Sequence, residues 1–433
     1  MQIIYLQKNK MKRIISSTCL WVAIFCGVHT ANAQRIVTYD EYIKNVREKN
    51  IEYIVEKYEV SISEANTQAA KVFPDPELSF GYDHSDLSKD LDKKYGQVIG
   101  AELDYTLELG RKRRARIAVA KSEQQMTEAL VEDFFRNLQA DATLCYLEAL
   151  TQKQLANIAL SSYQSMRDLA RGDSLRHILG EIAEIDAMQS RLEATTMMTD
   201  YLQTELAYKN MLSDLVVFEG GAETIDSLSG SLQLQIRPYL LSDLIEKAQD
   251  NRADLKAAVR GKELSAANTR LAKANRVIDL GLSVGFAHST EAVTEISPAI
   301  PFNTVSAGVS IPLKFSNTNK GELRAAQFSE RQAEAQFDAI LLQIRNEVVQ
   351  HYNRYISACR QAELYQLSTI ADAASILEKK KYSYTRGETS LLEVLDAQRT
   401  ANEVYQSYYE MLFNANASLV ELYRAVGIWE VEL

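Results

Sequence analysis

The sequence predicts a membrane α+β protein written as two copies of one design, each with a long helical hairpin and a pair of amphipathic strands. Three observations carry this reading. The segment Gly180-Glu181-Ile182-Ala183-Glu184-Ile185-Asp186-Ala187 returns loosely as Gly387-Glu388-Thr389-Ser390-Leu391-Leu392-Glu393-Val394, and the same offset of 207 separates Gly220 from Gly427. Self-similarity at a fixed offset speaks to architecture before any single residue does. Stretches of 61 and 65 residues, 111–171 and 322–386, contain neither Gly nor Pro. Four short segments alternate apolar with small or polar residues, the period of strands.

The first 33 residues read as a signal peptide. Lys8, Lys10, Lys12 and Arg13 precede an apolar run from Cys19 to Val28, and Ala31-Asn32-Ala33 offers the small-x-small cleavage pattern before Gln34. The run is too short to cross a bilayer as a helix. Met11 opens a more typical leader than Met1, and neither Cys19 nor Cys26 sits in a lipidation box. Loss of the leader's four positive charges takes the net charge from −10 to −14. So acidic a chain is a poor partner for nucleic acid.

The first repeat, 34–220, opens with a helix that ends at Phe73-Pro74-Asp75-Pro76, because Pro and the residue before it disfavour helix. A strand hairpin over 77–109 follows. Leu78, Phe80 and Tyr82 alternate with Ser79, Gly81 and Asp83; after a polar loop at 85–94, Ala101, Leu103, Tyr105, Leu107 and Leu109 alternate with Glu102, Asp104, Thr106 and Glu108. A long helical hairpin over 111–219 completes the repeat, with its first helix reaching roughly 90–100 Å at 1.5 Å per residue. After a linker at 221–240, the second repeat, 241–433, presents the same order: helix, strand hairpin 279–315, helical hairpin 320–427 and a short tail. In it Leu280, Leu282, Val284 and Phe286, then Ala307, Val309, Ile311, Leu313 and Phe315, mark the apolar faces. Apolar steps of three and four through Phe337, Leu341, Ile344, Val348, Tyr352 and Ile356 require coiled-coil packing, since a lone helix cannot bury such a stripe.

Four strands of about ten residues, polar on one face, suit a soluble sandwich or the wall of a membrane barrel. Nothing else in the chain offers a second sheet to cover the apolar face. Four strands cannot close a barrel, and open edges are not tolerated in lipid, so a membrane wall needs further copies: two would supply eight strands and three would supply twelve. Cys145 and Cys359 remain after the leader, one per half, about eight residues out of step when measured from Tyr146 and its counterpart Tyr352. That is roughly 12 Å along a helix, too far for a disulfide. His84, His177, His288 and His351 are scattered, and no HExxH, Cys pair, Ser-His-Asp or phosphate-loop pattern occurs. No catalytic residue, metal site or cofactor is therefore expected. His84 and His288 lie on the apolar parity near the outer ends of their strands, a place for amphipathic rings at a membrane interface. The basic run Arg111-Lys112-Arg113-Arg114 reads as an interfacial anchor beside lipid headgroups.

The chain resembles the TolC-like outer-membrane efflux protein family over essentially its whole mature length. The marks are Phe73-Pro74-Asp75-Pro76-Glu77-Leu78, Glu108-Leu109-Gly110-Arg111-Lys112-Arg113, Asn251-Arg252-Ala253-Asp254-Leu255, Tyr384-Thr385-Arg386-Gly387, Leu392-Glu393-Val394-Leu395-Asp396-Ala397 and Leu422-Tyr423-Arg424-Ala425-Val426-Gly427. In wording it is nearest the heavy-metal cation efflux subgroup. The resemblance implies a homotrimer whose strands form one twelve-stranded barrel in the outer membrane of a Gram-negative bacterium, with the helices continuing as a periplasmic tunnel. It implies a passive exit duct of a tripartite system, docked on a periplasmic adaptor and an inner-membrane pump of RND or ABC type. Alternatives are a multidrug efflux or type I secretion channel, and a soluble periplasmic coiled-coil scaffold.

On the same footing, Asp186, Tyr384, Glu393 and Asp396 match gate positions at the periplasmic constriction, and Gly180 and Gly387 mark the hairpin tips expected to meet the adaptor. Glu393 and Asp396, spaced i,i+3, share a helix face and would form acidic rings around a threefold axis. Crowded carboxylates are expected to raise one another's pKa. Thr389 stands where the family member with the best-described gate has an arginine. Glu102, Asp104 and Glu108 are the expected barrel-lumen acids.

Overall fold

The computed structural model describes residues 35–86, 95–221, 223–290, 300–313, 319–365 and 369–431. The expected leader, the residues of the polar loop from 87 to 94 and Phe315 lie outside them. In chain order the elements are β1 (Ile36–Val37), α1 (Tyr39–Lys49), α2 (Ile51–Ala69), β2 (Glu77–Asp86), β3 (Tyr95–Leu107), α3 (Lys112–Ile178), α4 (Glu184–Phe218) and β4 (Ser227–Leu228). They continue as α5 (Leu241–Asn251), α6 (Ala253–Ala274), β5 (Leu280–Ser289), β6 (Phe302–Ser310), α7 (Lys320–Leu364), α8 (Ile370–Thr385) and α9 (Leu391–Val426).

The helix expected to open each half is two helices. Asn50 takes an extended backbone, φ −59° and ψ 125°, and its Oδ1 accepts the Tyr53 amide at 2.9 Å, so it ends α1 and caps α2. Arg252 adopts nearly the same angles, −62° and 127°, between α5 and α6. There the side chain is committed elsewhere: it grips Asp254 through two nitrogens (2.9 and 2.6 Å) and reaches Glu347 on α7 at 2.5 Å. This accounts for the Arg-Ala-Asp wording of the second half. The long helix of the first half runs unbroken for 67 residues, about 100 Å. In the second half the same stretch is described as α7 and α8, with residues 366–368 between them outside the description.

Strands β2, β3, β5 and β6 form one antiparallel sheet in that order. The register puts Leu78, Leu103, Val284 and Ala307 in one row and Phe80, Ala101, Phe286 and Val305 in the next, so the apolar parities of all four strands share a face. That face is bare: Phe80, Val284, Phe286 and Val305 are 79, 59, 51 and 77 % exposed. On the opposite face Ser283 faces Gly308 and Gly285 faces Ser306. A Cβ at Gly308 or Gly285 would lie 2.6 Å from the facing serine Oγ, so the glycines are what admit the hydroxyls. Strand β6 ends at Ser310, short of the expected 315, because Pro312 has no amide to give a ladder.

Where strand passes to helix, the basic run is only partly the anchor expected of it. Lys112 is buried and pairs with Asp279 at 2.6 Å, while Arg113 donates to the Lys71 carbonyl at 2.7 Å and stacks on Phe73. These contacts hold the proline-rich entry and the second half's strand entry against the top of α3. Arg111 and Arg114 remain exposed.

The apolar core lies where the helices are tied by the linker. Tyr42, Tyr146, Leu147, Leu150, Leu215 and Leu228 form one buried cluster; Ile344, Val348, Tyr355, Leu422, Tyr423 and Val426 form another. Side chains of this size each contribute about 1.5–3 kcal/mol when fully buried. The linker crosses the helices as a strap. Lys153 donates to the Leu228 carbonyl (2.6 Å), Tyr146 to that of Ser229 (2.6 Å), Asn416 to that of Gln233 (3.1 Å), Tyr355 to that of Gln235 (3.1 Å) and Tyr352 to that of Tyr239 (3.3 Å). Cys145 and Cys359 are free thiols, as their axial offset requires.

Candidate functional site: the hairpin tips and the strand wall

Both hairpins turn on a left-handed glycine. Gly180 has φ +80° and Gly387 +77°, and the next amide reaches back five residues in each: Glu181 to the Arg176 carbonyl (2.8 Å) and Glu388 to the Ser383 carbonyl (2.9 Å). This is a Schellman cap, and a side chain at either glycine would be strained. The returning helices begin differently. Ser390 and Glu393 form a reciprocal capping box at the start of α9, whereas Ala183 offers no side-chain cap to α4.

The structure unites the two hairpins through Tyr384. Its ring is buried with Met166, Ala170, Met197, Leu391 and Val394, and its hydroxyl donates to Asp173 Oδ1 at 2.9 Å. Asp173 is 2 % exposed and its Oδ2 is buried without a partner; the hydroxyl of nearby Ser190 donates to the Ala187 carbonyl at 3.2 Å instead. Burial pushes the Asp173 carboxyl above its ordinary range, against the opposing pull of the Tyr384 hydrogen bond, the neighbouring Ser190 hydroxyl and the Arg176 guanidinium 3.9 Å away. Burial likewise raises the Tyr384 phenol. Asp186, half-buried in the first turn of α4, adds negative charge to both groups.

Glu393 and Asp396 are exposed on one side of α9. Within the chain the expected mutual rise does not hold for Glu393. Lys380 donates to its Oε2 at 2.6 Å, and this hydrogen bond, with the Ser390 amide, holds the carboxyl below its usual range. Thr389 Oγ1 is buried without a partner. The sequence reading missed Asp173, a lone acid in a helix 211 residues from its tyrosine. It also missed the capping role of Glu393, although Ser390-x-x-Glu393 is a legible signature.

On the wall, Glu102 and Asp104 lie exposed on the sheet face that carries the glycine and serine pairs. Glu108 does not join them: it falls beyond the end of β3 and is held by Arg116 at 2.7 Å. His288, on the apolar parity, lies with Nδ1 2.7 Å from Asn303 Oδ1. Among the described residues no group of three or more His, Cys, Asp or Glu could hold a metal ion, and no helix is long and apolar enough to cross a membrane.

A sheet bare on its apolar face and open at both edges, continuous with a 67-residue helix of about 100 Å, has the pattern of a membrane-barrel wall carried on a helical coiled coil. Residues 244–428 match the family of outer membrane efflux proteins, whose members are channels and not enzymes. That family's description places its members in the outer membrane. The chain is similar to the cobalt-zinc-cadmium resistance protein CzcC of Cupriavidus metallidurans, 22% identical over 371 residues that cover 85% of each chain. The pyoverdine export outer membrane protein OpmQ of Pseudomonas putida is 22% identical over 65% of this chain and 60% of its own length. The cation efflux system protein CusC of Escherichia coli K12 is 24% identical over 64% of this chain and 61% of its own. A crystal structure of CusC matches the fold with a TM-score of 0.72 at 16% identity, covering 94% of this chain and 96% of that one.

Proposed function

We propose that three copies close their sheets into a twelve-stranded barrel and their helices into a tunnel, making the passive exit duct of a tripartite efflux system. The observation that carries this reading is the four-stranded sheet, apolar on one face and unpaired along β2 and β6. Lipid tolerates neither open edge, so only further copies satisfy it. Three copies and the adaptor and pump partners follow from the family resemblance. Heavy-metal cations are the proposed cargo, in keeping with the names of CzcC and CusC; siderophore or drug export, to which OpmQ points, is the rival. Glu102 and Asp104 would line the barrel, and Gly180 and Gly387 would present the tips to the adaptor.

Asp186, Tyr384, Glu393 and Asp396 are proposed as the periplasmic gate, with Tyr384 and Asp173 locking one hairpin to the other. Planar bilayers test the acidic ring: replacing Glu393 and Asp396 with Ala should lower cation preference or change single-channel conductance, and unchanged traces would remove these residues from the gate. Heat-modifiable trimers in the outer-membrane fraction support the duct; release with soluble periplasm refutes it. Deletion should sensitise cells to zinc, cobalt, copper or silver, and sensitivity to dyes alone would move the cargo to the rival class.

A further inference from the structure

Behind the Tyr384–Asp173 bond, on the side away from the tips, a cleft of about 370 Å3 lies between α3, α8 and α9. That is within the size range of small-ligand sites. Its walls are polar where the interior of a coiled coil is normally apolar. Ser162 and Gln398 line it and are 7 and 5 % exposed. Ser162 Oγ donates to Asn402 Oδ1 at 2.8 Å, while Gln398 Nε2 donates to Ser162 Oγ at 3.2 Å and to Asn402 Oδ1 at 3.0 Å. One end of each amide is thereby used. Among the described residues Gln398 Oε1 accepts no hydrogen bond and Asn402 Nδ2 donates none. Polar groups taken out of water without partners cost free energy.

The same cleft holds an ammonium that lacks a counter-charge. Lys381 is half-buried and donates to Ser165 Oγ of α3 at 2.6 Å, and among the described residues it forms no ion pair. The adjacent Lys380 differs, pairing with Glu393 at 2.6 Å. Burial lowers the Lys381 pKa, opposed by the exposed Glu378 one turn earlier. Apolar surface comes from Ile158, Tyr405 and Tyr409. These features are ordered along the helices. Ser165, Ser162 and Ile158 stand on successive turns of α3, with Lys381 level with the first and Gln398 and Asn402 with the second. The three turns span about 10 Å.

A cation, then one free acceptor beside one free donor, then an apolar end is the complement of a carboxylate, an amide and an acyl group in line. We propose that the cleft binds a small N-acylated amino acid. Its carboxylate meets Lys381 and the Ser165 hydroxyl, its amide N–H donates to Gln398 Oε1, its amide carbonyl accepts from Asn402 Nδ2, and its acyl group lies beside Tyr405 and Tyr409. The site lies within one chain and asks for negative charge, unlike the acidic wall at Glu102 and Asp104. An occupant ties α8 to α3 one helical turn from Tyr384, and so adds to the bond that already joins the hairpins.

Equilibrium dialysis of the full chain in detergent, with N-benzoylglycine as the probe, reads the binding. Wild type should bind it. The uncharged N-benzoylglycinamide, and phenylbutyrate, which lacks the amide, should each bind at least about tenfold more weakly. Lys381→Met should weaken N-benzoylglycine by at least about tenfold. Asn402→Asp should do the same, because it keeps the acceptor for Ser162 and Gln398 and replaces the free donor with a negative charge. Bound probe should also slow hydrogen exchange in α8 peptides of wild type and leave the strands unchanged. Three results overturn the proposal: no binding by wild type at millimolar probe, equal binding of the uncharged analogue, or binding that survives the substitutions. Should Lys381→Met fail to fold, Asn402→Asp decides the matter by itself.

Discussion

Replacing Tyr384 with Phe removes one hydroxyl and leaves every apolar contact of the ring in place. The hydroxyl is the donor to Asp173 Oδ1 at 2.9 Å, and Oδ2 already has no partner. The variant therefore strands a carboxylate that is 2 % exposed, with Arg176 at 3.9 Å as its remaining counter-charge. A hydrogen bond to a charged group contributes about 1.5–3 kcal/mol, which corresponds to an opening equilibrium between the hairpins about 10- to 150-fold larger. Hydrogen exchange read by mass spectrometry reports such local opening directly. Peptides from α8 and from the end of α3 should exchange faster by that factor, with the α1 and linker core unaffected. Equal protection in wild type and variant would refute the claim that this pair holds the hairpins together.

The same pair carries a pH dependence whose sign can be worked out. With burial raising the Asp173 pKa above the exposed value of 3.8, the packed tip binds the proton more tightly than the opened one, so packing is favoured in acid and loosens as pH rises through the raised pKa. The Glu393–Lys380 pair works oppositely, since a lowered carboxyl stabilises above its usual pKa and loses that contribution as pH falls. Asp173→Asn should abolish only the first trend in tip exchange. Gly220→Ala should destabilise the fold more than Gly387→Ala, measured as the temperature at which trimers dissociate. Both glycines are left-handed, but a Cβ at Gly220 collides with the Lys49 carbonyl, whereas the space around Gly387 is open. The strain alone is about 1–2 kcal/mol. Burial pushes the Cys145 thiol from 9.0 to about 12, so alkylation near neutral pH should run about a thousandfold below that of an unperturbed thiol. Arg252→Lys should lower stability by about 1–3 kcal/mol in urea, because an ammonium cannot reproduce the fork held by Asp254 and Glu347.

Strand positions and facing were legible in the sequence because alternation has period two and the register then aligns four parities at once, as the row Leu78, Leu103, Val284 and Ala307 illustrates. Helix breaks were not. Asn50 and Arg252 interrupt stretches with good helical periodicity, and Arg252 is held there by Asp254 and by Glu347, 95 residues away on α7. Glu108 fits the alternation of β3 yet leaves the strand for Arg116, a side-chain preference that pattern alone does not weigh. At the tips, Gly180 and Gly387 were legible because positive φ selects glycine, while the Tyr384–Asp173 bond joins residues that only tertiary packing brings together. Spacing put Glu393 and Asp396 on one side of a helix, where both are exposed, but could not reveal that Lys380, one helix back, pairs with Glu393.

Helix side chains grip the strap between the halves by five of its carbonyl oxygens from Leu228 to Tyr239, and the amides of Leu228 and Arg237 donate to the hydroxyls of Tyr208 and Tyr355. Backbone oxygens are the same whatever side chain they accompany. These backbone contacts survive sequence drift in the linker, their recognition resting on Tyr146, Lys153, Tyr208, Tyr352, Tyr355 and Asn416 on the helices, whereas drift at the buried Leu228 and Leu232, or at Tyr239 on Tyr423, would loosen the strap. A linker held in this way can vary between those anchors while keeping the two helical hairpins joined.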